Sequence, residues 1–89
     1  MANVVAADAL EGGEVVSPAG EALGTIEEIM IDVRRGVVAY AVMSCGFAEL
    51  GDKRVAVPWS ELKRDASGER FVLDSDRARL EQAPGFTYR

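Results

Sequence analysis

A chain of 89 residues, 48% hydrophobic and 28% charged, makes one small globular domain and not a disordered segment. Its net charge of −5 is lopsided: residues 1–33 hold seven acids (Asp8, Glu11, Glu14, Glu21, Glu27, Glu28, Asp32) and no Lys or Arg, while residues 34–89 hold ten basic and eight acidic side chains. Such a balance argues against nucleic acid as a partner, the single cysteine rules out an intrachain disulfide, and the absence of histidine removes Ser-His and Cys-His catalysis and the commonest metal ligand.

The opening MANVVAADALEGGEVV has neither a basic n-region nor a long apolar run, so no signal peptide is expected. No stretch nears the roughly 18 apolar residues of a membrane span, and a cytoplasmic location is expected. Residues 1–8 read as a lead-in and residues 9–89 as the domain. The first strand is expected at Glu14–Ser17, followed by a turn at Pro18-Ala19-Gly20 in which Gly20 supplies a position needing positive φ. In LGTIEEIMIDV, Ile29, Ile31 and Val33 alternate with Met30 and Asp32, the period of a strand. Ile26 is out of step by one residue, and a β-bulge near Glu27-Glu28 would return it to the core face. The short RRG link predicts an antiparallel hairpin to VVAYAVMSC.

That next strand is apolar on both faces. Val38, Tyr40 and Val42 form one face, and Val37, Ala39, Ala41 and Met43 the other. One must fill the interior and the other needs cover. RVAVPW is a further strand that Pro58 ends or places at an edge, and LKRDASGERFVLD is a second hairpin with Ala66-Ser67-Gly68 at its tip. Only the tail reads as helix: Asp74 or Ser75 caps DRARLEQA, which stops at Pro84-Gly85, and Leu80, Ala83 and Phe86 dock on the sheet. The expected class is all-β, a small antiparallel β-barrel with a short C-terminal helical segment.

The order of these motifs resembles the PRC-barrel domain family from about Ala9 to Phe86. The residues concerned are GEVVSPAGEALGTIEEIMIDVRRGVVAYAVMS with its Gly20–Gly24 spacing, GDKRVAVPWSEL, and the closing LEQAPGF. In the family a double glycine often follows the tyrosine strand, where this chain has CGFAEL with Gly46 and Glu49. The resemblance implies a compact β-barrel acting as an adaptor between proteins, as in the H subunit of the photosynthetic reaction centre and a ribosome maturation factor. It implies a fold more firmly than a function.

The chemistry-bearing residues give no complete constellation. Cys45 has no activator beside it in sequence and reads as a small core residue. Gly46 and Gly51 have P-loop spacing, but Asp52 stands where the phosphate-binding lysine belongs and Lys53 where the Mg²⁺-binding hydroxyl belongs. Glu27 and Glu28 point to opposite faces of a strand unless the bulge turns them, and Asp74 and Asp76 lack the Gly and closing Glu of a calcium loop. No catalytic residue, cofactor or metal is therefore expected. The expected function is a non-catalytic protein-interaction or assembly module, with homo-oligomerisation through the outward face of the Val37–Cys45 strand. Its candidate contact residues are Val38, Tyr40, Val42, Phe47 and Trp59. The alternative is a small-ligand-binding barrel whose lip is formed by the acidic segment and the CGFAELGDK loop.

Overall fold

The computed structural model describes residues 4–47 and 51–86. A four-residue helix, α1 (Ala7–Leu10), precedes strands β1 (Glu14–Val16), β2 (Ala22–Asp32), β3 (Val37–Phe47) and β4 (Gly51–Pro58). A 3₁₀ turn (Trp59–Glu61) leads to β5 (Leu62–Arg64) and β6 (Phe71–Leu73), and α2 (Arg77–Gln82) follows. The strands make one six-stranded sheet in the order β4-β3-β2-β1-β6-β5, curled into a half-barrel. The all-β, barrel-like class with a C-terminal helix is as expected. Within it one pairing is parallel: β1 lies beside β6, with Val15 opposite Phe71. The β5–β6 hairpin places β5 at the sheet's end, so β6 meets β1 with its remaining edge. The intervening chain is ample for a crossover, which a parallel pair requires.

The turn and bulge chemistry explains why this sequence curls. Gly20 sits at φ +92° and its N–H donates to Ser17 O at 2.9 Å, while the Ser17 hydroxyl accepts from Glu21 N at 3.0 Å. Against β3, the register of β2 steps from Ile26↔Met43 to Glu28↔Val42 and leaves Glu27 as the extra residue. Ile26 is therefore buried beside Met43 and Ala41, and Ile29 packs against the same core, as the sequence predicted. A second shift was not anticipated. Met30↔Tyr40 gives way to Ile31↔Val38, so Ala39 is left over on β3. A bulge there bends and twists the strand end.

Inside the curl, Val15, Leu23, Ile26, Met43, Cys45 and Phe71 are almost completely buried. At Gly24 two strands approach closely: a Cβ there would lie 2.3 Å from Ser44 O. The tail closes one end. The N-cap of α2 is Asp76, whose carboxylate accepts from Arg79 N at 2.8 Å, instead of Asp74 or Ser75. It is the acid whose extended backbone leads directly into the first helical residue. Lys53 Nζ donates to Leu80 O (3.0 Å) and Glu81 O (2.8 Å), satisfying carbonyls that a helix end leaves open. Leu80 is buried, Ala83 packs on the core, and Phe86 N donates to Arg54 O at 2.7 Å. The segment α1 was not legible as helix. Its N-cap, Ala6, makes no side-chain bond and none of its residues is buried.

Candidate functional site

The strand that looked apolar on both faces is divided by its bulge. Val42 sits between Glu28 and Ala56 on the neighbouring strands, facing away from Ala41 and Met43, and has no exposed surface. Tyr40 is half-buried and meets the Phe86 ring edge-on, with centroids 5.8 Å apart. The tail thus supplies cover at Tyr40. Phe47 is nearly buried beneath the Arg77 guanidinium, which lies 5.1 Å from its ring centre and donates to Gly46 O and Ala22 O. Two expected contact residues, Val42 and Phe47, therefore offer no free surface to a partner. Arg77, the first residue of α2, lies over Phe47, and Phe86 beyond the helix reaches Tyr40.

Val38 and Trp59 are brought together, on a surface that Tyr40 and Val42 do not share. They line a groove of about 550 Å³ with Val5, Leu10, Leu62, Arg64 and Phe71. The Trp59 and Phe71 rings meet edge-to-face at 5.9 Å, so the indole is partly buried and held in place. Pro58 ends β4 and starts the turn that swings the indole inward. The Arg64 guanidinium lies 4.9 Å over the Phe71 ring and donates to Gly68 O. At the same end, Ile31, Val33 and Val37 are 53%, 85% and 51% exposed, and Val4 and Val5 are also exposed. They flank a rigid hairpin tip, because Asp32 Oδ1 accepts from Arg34 N (3.0 Å) and Arg35 N (3.1 Å) and Gly36 takes φ +69°.

Sequence reasoning missed Val5, Leu10, Leu62, Phe71 and Arg64 in this groove. The one available signal was the pair of apolar residues, Val5 and Leu10, ahead of Gly12-Gly13.

Glu27 is paired with Arg54 Nε at 2.9 Å, while Glu28 lies exposed beyond the bulge. Burial pushes the Cys45 thiol up from its ordinary value, against smaller opposite effects of Arg77 and Lys53. Asp65 is held well below the carboxylate range, first by the Ser67 hydroxyl at 2.7 Å and then by Arg70, whose N and Nε donate at 3.2 and 3.0 Å. These bonds organise the β5–β6 hairpin. Among the described residues no cluster of His, Cys, Asp or Glu could hold a metal, and no helix is long and apolar enough to cross a membrane. Residues 48–50, in the loop expected to differ from the family's double glycine, lie outside the described residues.

A protein-family model for the PRC-barrel domain matches residues 2–80. The chain belongs to the PRC-barrel domain family. Among solved structures it is similar to RimM of Pseudomonas aeruginosa, described as a 16S ribosomal RNA processing protein, with a TM-score of 0.52 and 22% identity. The alignment covers 83% of this PRC-barrel chain and 45% of that one, so the chain spans less than half of the neighbour's length. At this identity the likeness is one of fold. No curated protein sequence matches.

Proposed function

We propose that this PRC-barrel chain is a non-catalytic protein-interaction or assembly module. The observation that carries the reading is the open apolar groove around Trp59, continuous with exposed aliphatic residues on the β2–β3 hairpin. Contiguous exposed apolar surface is expensive in water and marks contact sites. A half-buried, oriented tryptophan is the kind of side chain that anchors a partner. The neighbour's description as a ribosomal RNA processing protein is consistent with an assembly setting. A net charge of −5 favours a protein contact over RNA in that setting. A cytoplasmic location belongs to the same reading and agrees with one unbridged, buried cysteine. Self-association remains part of the proposal, through the groove end instead of the Tyr40–Val42 face.

A small-ligand barrel is the second reading, because a volume of about 550 Å³ falls in the range of ligand pockets. Among the described residues lining the groove, Arg64 is the only charged or hydroxyl-bearing side chain, and it is already engaged with Phe71 and Gly68. That is a poor set for fixing a small molecule's orientation. Affinity capture from native extract separates the two readings. The parent chain should retain a specific protein that an Ile31→Lys/Val33→Lys variant, altered only at exposed positions, loses. Retention of the same proteins by both, or a co-purifying small molecule in their place, would overturn the module reading.

A further inference from the structure

The groove's charge surroundings say what kind of partner it fits. Arg34 and Arg35 stand at the hairpin tip, two and three residues beyond Asp32, whose pair with Val37 adjoins the Ile31↔Val38 pair, and Val38 lines the groove. Arg64 forms part of the groove wall. Among the described residues no carboxylate lies within ion-pair distance of these three guanidiniums, whereas Arg54 and Arg70 are both paired with acids. The groove is thus apolar, with one guanidinium in its wall and two more at the adjoining hairpin tip, on a protein that is acidic as a whole.

The chain's own N-terminal segment has the complementary chemistry. VVAADALE combines Val4, Val5 and Leu10 with Asp8 and Glu11 and carries no basic side chain. It already lies along the groove through Val5 and Leu10, yet Val4 stays 91% exposed and α1 has no buried residue. It is held loosely. Gly12 and Gly13 anchor the chain behind it, with Gly12 N donating to Ile26 O at 2.7 Å and Gly13 O accepting from Ile26 N at 2.9 Å.

Resting on the interaction-module reading, we propose that this groove docks a short apolar and acidic segment of another protein, and that residues 4–10 are its placeholder within the chain. The apolar side chains of the incoming segment fill the space between Val38, Trp59 and Phe71, and its carboxylates meet Arg34, Arg35 and Arg64. An anionic membrane is the weaker match, because the site is concave and a membrane surface is not.

Trp59 is the only tryptophan, so its emission reports occupancy directly. The probe is a synthetic VVAADALE peptide, with a neutral VVAANALQ peptide as its control. The full chain and a Val5→Ser/Leu10→Ser variant are titrated, the variant being checked for native circular dichroism. The variant, with its placeholder loosened, should bind the acidic peptide at least tenfold more tightly than the parent. Binding should fall at least tenfold with the neutral peptide or on adding Arg34→Ser/Arg35→Ser, and should weaken with salt. Equal binding of both peptides, no effect of the arginines, or no saturable change of Trp59 emission would each overturn the proposal. An emission change with phosphatidylserine vesicles but not with peptide would assign the surface to a membrane. A peptide-free emission change that tracks dimer formation in sedimentation would assign it to a second copy. Failure with the peptide alongside successful Ile31- and Val33-dependent capture would leave the module reading standing and remove only the acidic partner.

Discussion

The closest approach inside the sheet gives the sharpest stability test. Replacing Gly24 by Ala puts a methyl 2.3 Å from Ser44 O and 3.1 Å from Met43 Cγ. Carbon–oxygen contacts settle at about 3.3 Å, so β2 and β3 must part by about 1 Å. The clashing atom is backbone in the sheet's longest strand pair, so no rotamer change relieves it. Overpacking costs about 1–3 kcal/mol, and a backbone obstacle places this case near about 3 kcal/mol. For a domain of this size that lowers Tm by roughly 12–24 °C. Gly46→Ala is the matched control on the neighbouring strand. Its added methyl meets Asp52 Oδ1 at an ordinary 3.5 Å, so stability should change by less than about 1 kcal/mol. Thermal and urea unfolding followed by Trp59 fluorescence reads both. Equal stabilities for the two variants would refute the close-approach argument.

Trp59→Ala should cost about 2–4 kcal/mol, somewhat under the figure for a fully buried aromatic, because the indole is only partly buried against Phe71; urea unfolding checks this, and an unchanged midpoint would mean the ring packs on nothing. Cys45, buried and with its thiol pushed up, should react with an aromatic disulfide reagent at pH 8 only as fast as the protein opens. Complete labelling within seconds in native buffer would contradict the burial. Asp65 is depressed in the folded state, so its contribution is full above the ordinary aspartate range near about 3.9 and is lost as pH falls below it. The stability gap between parent and Asp65→Asn should therefore be constant at neutral pH and shrink below about pH 4, and a gap independent of pH would remove Asp65 from the acid response.

The fold was legible where local chemistry dictates it. Gly20 had to be a turn glycine, the phase slip between Ile26 and Ile29 had to be absorbed by a bulge, and Pro58 had to end a strand. The candidate surface was less legible because it depends on placement between distant segments. Nothing near Val38 announces that Ala39 is left unpaired, since small apolar residues on either side leave the phase open. Likewise, the capping of Tyr40 comes from Phe86, at the end of a tail that Lys53 and Asp76 hold from separate elements. The groove itself gathers residues from 5 to 71, a range that no periodicity spans.

The proposed function requires that the groove end, and not the Tyr40–Phe86 face, meet a protein partner. A photo-crosslinking side chain placed at Ile31, the exposed cross-strand partner of the groove residue Val38, and separately at Ala56, on the opposite face next to Val42, tests it in native extract. Both variants must first match the parent in thermal unfolding. Position 31 should give a discrete protein adduct and position 56 none. An adduct from position 56 alone, or equally from both, would contradict the proposal.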